Sequence, residues 1–359
     1  MNNTKPFRFT RVAVVALLLS FMAACSDDST GPQFQLTPEG TADIMGQLVA
    51  DFFEGNEGAA SMEYLGGHIL EALWGGPLLN ASPPADMAGG IPSHLLNPVY
   101  LAGANLPEIF QGVTFIWDEE LISYIPSEEP GAPTNGVRFI IYAVNPITGL
   151  PESPLNDIGH LDIIDTSTWP TIAITLDVVI GNTSMIYADV TGSFTEMEGW
   201  LDFDGYFSDG TEQVTFELYA IEDQTHYALE FGLTYGNFEA SWSMNYTEIA
   251  TTQTVTFTDG TNTLVFNLGL EYQLVDQTWV WVILEGSGIA FNGADVALIS
   301  GWIDEDTVTV TITNAVGDPL TTAELAALED AFAAIEGLGM FMEGMLQFAA
   351  DLAWLGAPR

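Results

Sequence analysis

Apolar and polar residues alternate along most of the segment from residue 160 to residue 314, and this period of two is typical of strands with one buried face. The pattern is clearest from residue 225 to residue 247, where Gly236-Asn237 offers a two-residue hairpin turn. A turn there separates an apolar from a polar face. The predicted apolar pairs are Phe231 with Trp242, Leu229 with Met244 and Tyr227 with Tyr246; the predicted polar pairs are Glu230 with Ser243 and Thr234 with Glu239.

Two further turns are marked by Asp209-Gly210 and Asp259-Gly260. The segments 207–218 and 257–268 around them share six of twelve residues, which either duplication of a β-unit or convergence on good turn chemistry explains. Further strands are predicted at 113–117, 137–144, 171–180, 184–194, 264–274, 279–284, 296–302 and 307–313. Their shared apolar face is predicted to be aromatic, with Phe216, Phe231, Trp242, Phe266, Trp279, Trp281 and Trp302.

Helical spacing of apolar residues appears at both ends of this region. Residues 37–75 carry it in two pieces, for example at Ile44, Leu48 and Phe52. Near the C-terminus, Thr321-Thr322-Ala323-Glu324 resembles a capping box that opens a long helix, and the helix becomes apolar almost all round after Gly337. We therefore expect this helix to pack on the apolar face of the sheet.

The predicted fold class is α+β. It comprises a large, mostly antiparallel meander sheet of about ten strands, N-terminal helices, and a C-terminal apolar helix on the apolar face of the sheet. The predicted divisions are 1–24 (signal), 25–36 (polar tether), 37–157 (helical and loop-rich), 158–315 (β region) and 316–359 (C-terminal helix).

Composition narrows the class of protein. With 48% apolar residues among 359, the chain has enough material for a large core, which excludes disorder as its main state. Five Lys and Arg stand against 49 Asp and Glu, a net charge of −44, and this excludes a nucleic-acid binder. A single Cys excludes an internal disulfide framework and a Cys-cluster metal site.

That Cys ends a segment with the features of a secretory signal. Lys5, Arg8 and Arg11 precede an apolar stretch, residues 12–21, that is too short to span a bilayer. Residues 19–25, Leu-Ser-Phe-Met-Ala-Ala-Cys, resemble the signal of bacterial lipoproteins, which is cleaved just before a lipid-modified Cys. The resemblance implies a diacylglyceryl thioether on Cys25 and an acylated amino terminus, for example by palmitate. Met22 departs from the Leu usual in that family, and the alternative is an ordinary signal with a coincidental Cys.

Cleavage before Cys25 would leave Arg138 and Arg359 against all 49 acids, a formal charge of −47 without any Lys. Such a surface repels anionic lipids, so the acyl chains would supply the membrane attachment. Ser26-Asp27-Asp28 also resembles an acidic export signal of some surface-exposed lipoproteins. The predicted location is the cell envelope, anchored in the outer membrane, with its periplasmic face and the exterior both left open.

Residues able to carry chemistry are few. The histidines His68, His94, His160 and His226 are isolated, and the chain has no zinc, nucleophile-elbow or nucleotide-binding signature. A two-residue turn at Asp209-Gly210 predicts that Asp202 faces Glu217 and Asp204 faces Thr215, and calcium would offset the repulsion within the acidic pair. Asp304-Glu305-Asp306 is a second acidic cluster, and solvated surface carboxylates are the alternative for both.

The sequence thus predicts a non-enzymatic, lipid-anchored envelope protein that acts as a binding or structural surface module. It predicts no catalytic residue and no organic cofactor, leaves structural calcium open, and names an envelope protein or an apolar ligand as partner. One alternative is a carrier that holds apolar molecules between a curved sheet and the Met-rich helix, with Met340, Met342 and Met345. The other alternative is a secreted hydrolase that uses carboxylates.

Overall fold

The structure is a computed structural model that describes residues 110–355, apart from 144, 146–149, 169, 196–197, 209, 276–277 and 305–307. This part of the chain contains sixteen strands and one long helix, α1 (Thr322–Leu355). The strands are β1 (Val113–Asp118), β2 (Ser123–Ser127), β3 (Gly136–Tyr142), β4 (Asp157–Asp165), β5 (Thr171–Ile180), β6 (Thr183–Phe194), β7 (Glu198–Ser208), β8 (Gln213–Asp223), β9 (His226–Tyr235), β10 (Phe238–Thr247), β11 (Ala250–Thr258), β12 (Thr263–Val275), β13 (Thr278–Ile283), β14 (Gly288–Phe291), β15 (Ala294–Ile303) and β16 (Val308–Asn314).

All sixteen strands belong to one sheet. From β3 to β12 each strand pairs antiparallel with the next one in the chain, which makes an uninterrupted meander. At one end β1 pairs with β3 in parallel and with β2 antiparallel. At the other end the first part of β12 pairs with β14 and its last part with β13; both pair with β15, which also pairs with β16.

The predicted meander is confirmed, but the predicted count of about ten strands is too low. Two of the additional strands are short: β2 has five residues including Pro126, and β14 has four and begins at Gly288. Strands this short contain too few alternating residues for the polar–apolar pattern to reveal them. The sheet also begins before residue 158, because β3 pairs with β4. The predicted N-terminal helices, the tether and Cys25 lie outside the described residues.

The predicted hairpin of β9 and β10 is confirmed in every pair. Phe231 faces Trp242, Leu229 faces Met244 and Tyr227 faces Tyr246. Gly236 in the turn has a φ of +58°, a backbone conformation that glycine adopts without a steric penalty. Phe231 and Trp242 are both buried on the side of the sheet that α1 covers.

The predicted register of the β7–β8 hairpin is wrong by two residues. Pairing ends at Ser208 and Gln213, so the connection has four residues instead of two, and Asp204 faces Glu217 while Asp202 faces Tyr219. The β11–β12 hairpin, which carries the similar segment, has the same construction and ends at Thr258 and Thr263. Its closing contacts are backbone N–H donations from Thr261 and Asn262 to the Asp259 carboxylate, at 2.8 and 2.7 Å.

The predicted capping box of α1 is confirmed. The Glu324 amide donates to the Thr321 hydroxyl at 3.3 Å, and the Thr321 amide donates to the Glu324 carboxylate at 2.7 Å. These reciprocal bonds satisfy donors that the first helical turn leaves unpaired.

Helix α1 lies across the strands of the apolar face. The Phe332 ring meets the Phe266 ring of β12 edge to face, with centroids 6.0 Å apart, and a Cβ added to Gly339 would lie 3.2 Å from the Trp242 indole of β10. Seven helical residues advance about 10 Å, which matches the about 10 Å between β12 and β10 at two strand spacings. The helix also approaches β5 and β6. Leu338, Met345 and Leu346 are buried, and Met342 packs against the same core, whereas Ala326 is exposed.

Candidate functional site

The face of the sheet opposite α1 carries a row of carboxylates on three neighbouring strands. Asp189 of β6 faces Asp204 of β7, which faces Glu217 of β8. Like charges placed directly opposite each other across strands are destabilising. Sequence reasoning placed acids on this face but paired the wrong ones, so this row was missed.

The carboxylates at the β5–β6 side of this row are bound by neighbouring hydroxyl groups. Asp189 accepts from the Thr175 hydroxyl at 2.5 Å and from the Tyr187 hydroxyl at 2.6 Å. Asp177 accepts from the Ser184 hydroxyl at 2.6 Å. The bond to Asp189 raises the pKa of Tyr187 to about 12, because ionisation would break it and place two negative charges together. These contacts give both carboxylates a structural role.

Arg138 binds Asp162, the next carboxylate along this face. Arg138 of β3 donates two hydrogen bonds to Asp162 of β4, from Nε at 2.7 Å and from a terminal nitrogen at 2.6 Å. This fork raises the pKa of Arg138 above its ordinary value. His160 lies beside the pair, with its Nε2 3.8 Å from an Asp162 oxygen. Arg138 is the one Lys or Arg in the described part of the chain.

Asp204 is the carboxylate of this face on which charge repulsion is most evident. Burial raises its pKa above the ordinary value, and the charges of Asp189, Asp202 and Glu217 raise it further. The folded protein therefore holds this proton more tightly than the unfolded chain does. It follows that ionised Asp204 destabilises the fold at neutral pH, and that this penalty is relieved as the pH falls through the raised pKa and is absent below the ordinary carboxyl pKa.

We expect Asp204→Asn to stabilise the protein by about 0.2–1 kcal/mol at pH 7, because the amide carries no charge opposite its two acidic neighbours. The gain should vanish near pH 3, where the carboxylic acid is also neutral. Urea unfolding from pH 7 to pH 3 measures both effects. Glu230→Gln is the matched control, because Glu230 faces Tyr219 and Ser243 and has no acid directly opposite. An Asp204→Asn gain that persists at pH 3 contradicts this account.

The described residues contain no group of three or more His, Cys, Asp or Glu side chains arranged to hold a metal ion. The predicted pairing of Asp202 with Glu217, for which the sequence leaves calcium open, is wrong, since Asp202 faces Tyr219. In the second acidic cluster, residues 305 and 306 are not described. His160 and His226 lie on different strands, and the described contact of the His226 ring is with the Asn245 amide oxygen at 3.2 Å. His68 and His94 are outside the described residues.

Half-buried and exposed aromatic residues lie at one end of the apolar face. Tyr272 faces Trp281, and Leu274 faces Trp279, directly beyond the buried pair of Leu270 and Ile283. The Tyr272 ring stacks on the Trp279 ring with centroids 5.1 Å apart, and its centroid lies 5.3 Å from that of the Trp281 ring. We call Tyr272, Leu274, Trp279 and Trp281 the aromatic patch. Trp279 and Leu274 are 55% and 57% exposed.

The alternation of polar and apolar residues assigned Trp279 and Trp281 to the correct face. It could not show that burial of this face decreases toward them. It placed Trp302 on the wrong face: Trp302 pairs with Val282 and lies opposite the core, whereas its neighbour Ile303 pairs with Trp281. Both sets of alternate residues in β15 contain apolar side chains, Leu298 and Trp302 in one and Ile299 and Ile303 in the other, so alternation alone does not identify its buried face.

A buried indole donor lies between the sheet and α1. Trp242 is 7% exposed, and its Nε1–H has no acceptor among the described residues. An unpaired buried donor costs about 1–3 kcal/mol, so native cores rarely contain one.

No protein-family model matches the chain, and neither a curated protein nor a solved structure matches it significantly. Among the described residues, no helix has the combined length and hydropathy needed to cross a bilayer.

Proposed function

We propose that the protein is a lipid-anchored protein of the cell envelope, tethered to the outer membrane through Cys25, that acts as a non-enzymatic binding module. The proposed anchor rests on the resemblance of residues 19–25 to a lipoprotein signal, with the one Cys of the chain at the required position.

The proposed binding role rests on the difference between the two faces of the sheet. On the polar face, Asp162, Asp177 and Asp189 are bound by neighbouring side chains, which is a structural use of carboxylates. On the other face the aromatic patch is exposed. Exposed apolar clusters rimmed by polar residues mark interaction sites, so the patch is the observation that carries the proposal.

The anchor predicts a specific outcome when the full-length gene is expressed in a Gram-negative host. The wild-type protein should fractionate with the membrane, and its mass should correspond to cleavage before Cys25 plus acyl chains. Cys25→Ser should lose the lipid mass and the cleavage that depends on it. Fractionation followed by intact-mass spectrometry measures both.

Ser26→Ala is the control, because it alters the neighbouring position and keeps the thiol. It should retain the acyl chains. A wild-type protein that is secreted without lipid, or an identical mass shift in Cys25→Ser, would refute the anchor.

A second candidate function is that of a carrier for apolar molecules between the sheet and α1. The observation in its favour is the unpaired Trp242 Nε1–H, which an acyl carbonyl would satisfy, together with the adaptable side chains of Met342 and Met345 at the same interface. Native mass spectrometry of the preparation used for the anchor tests it. A stoichiometric acyl ligand that Trp242→Phe loses supports the carrier, and a ligand-free protein refutes it.

A further inference from the structure

The aromatic patch continues the apolar face past the edge of its cover. Leu270 and Ile283 face each other and are buried, while the next pairs outward, Tyr272 with Trp281 and Leu274 with Trp279, reach solvent. The turn between β10 and β11 adjoins the patch, because the Tyr272 amide donates to the Ile249 carbonyl at 2.8 Å. Ile249 is also exposed. The result is a surface of rings and aliphatic side chains at one end of the sheet.

An acidic residue borders this surface, since exposed Glu248 precedes Ile249 in the turn that adjoins it. The chain as a whole carries a net charge of −44. Among the described residues the one Lys or Arg is Arg138, which lies on β3 at the opposite end of the sheet and is bound to Asp162. The patch therefore combines electron-rich ring faces with a negative field.

This combination selects among the surfaces that could cover the patch. A second copy of the chain carries the same net charge of −44, so association through this face is opposed by repulsion. An anionic bilayer surface is opposed for the same reason. A cationic polypeptide is attracted by the field, and guanidinium groups also stack on Trp and Tyr rings.

We propose that the aromatic patch docks an arginine-rich segment of a partner protein, with guanidinium groups stacked on Trp279 and its neighbouring rings. The inference rests on the proposed role as a binding module and adds the chemistry of the partner. It is independent of the lipid anchor, which is tested separately by the mass of the protein.

The test compares fluorescently labelled deca-arginine and deca-lysine peptides by anisotropy with the full-length protein in a non-ionic detergent. Bulk electrostatics attracts both peptides equally, whereas ring stacking favours arginine. We expect the wild-type protein to bind deca-arginine about two- to fivefold more tightly than deca-lysine. Trp279→Ala should abolish this preference while leaving deca-lysine binding unchanged.

Tyr219→Ala is the matched control. Tyr219 is also exposed, but it lies on the opposite face of the sheet between Asp202 and Glu230. This variant should retain the preference for arginine. Equal binding of both peptides by the wild-type protein overturns the proposal, as does a preference that survives Trp279→Ala or is lost in Tyr219→Ala.

Two further measurements test the other surfaces that could cover the aromatic patch, a second copy of the chain and a bilayer. Sedimentation velocity that shows a dimer sensitive to Trp279→Ala overturns the proposal in favour of a second copy. Quenching of tryptophan emission by brominated phosphatidylcholine vesicles, lost in Trp279→Ala, overturns it in favour of a bilayer. A monomer that shows neither effect, with the arginine preference intact, supports the proposal.

Discussion

Replacing Phe332 with alanine is expected to lower the free energy of unfolding by about 3–5 kcal/mol, the usual cost of deleting a buried ring. Phe332 is 1% exposed and meets the Phe266 ring edge to face. The truncation removes the apolar area of the ring and leaves a cavity where α1 crosses β12. Urea unfolding followed by far-ultraviolet circular dichroism measures the loss.

Leu121→Ala is the control, because this leucine is 66% exposed in the turn between β1 and β2. It should change the stability by less than about 0.5 kcal/mol. If Phe332→Ala lowers the free energy of unfolding by no more than Leu121→Ala does, then the packing of α1 on the apolar face does not stabilise the fold. That result would also remove the interface on which the carrier function depends.

The hairpins show how far local sequence determines the register of this sheet. In β9–β10 the Gly236-Asn237 turn allows one tight connection, and every pair follows from it. In β7–β8 the Asp-Gly pair begins a four-residue connection instead. A change of register by two residues keeps the same residues on the same face of the sheet. Alternation therefore predicted the buried face correctly and could not detect the register error that placed Asp202 opposite Glu217.

The functional surfaces depend on long-range geometry that the sequence pattern does not contain. Arg138 and Asp162 become partners through the register of β3 and β4, which are joined by a connection of irregular composition. Leu270 and Ile283 are buried, whereas Leu274 and Trp279 on the same face of β12 and β13 are exposed. Where burial ends along a strand is decided by long-range packing, and the alternation of residues along β12 is the same on either side of that limit.

Loss of Arg138, the one Lys or Arg in the part of the chain that the structure describes, is the second large effect that we expect. Arg138→Met should destabilise the protein by about 2–3 kcal/mol at pH 7, less than the about 3–5 kcal/mol for removing one partner of a fully buried pair. The expected loss of stability is smaller because the Arg138 and Asp162 side chains are 22% and 15% exposed. The variant leaves Asp162 unpaired directly opposite Asp177 of β5.

The double variant Arg138→Met with Asp162→Asn separates the charge of Arg138 from its packing. Without the carboxylate there is no unpaired charge, so the double variant should regain more than half of the stability that Arg138→Met loses. The Arg138 side chain also lies against the loop before β3, where a Cβ on Gly131 would come within 2.8 Å of its terminal nitrogen. If both variants lose the same stability, this packing and not the ion pair explains the effect, and repulsion among carboxylates then has little influence on the polar face.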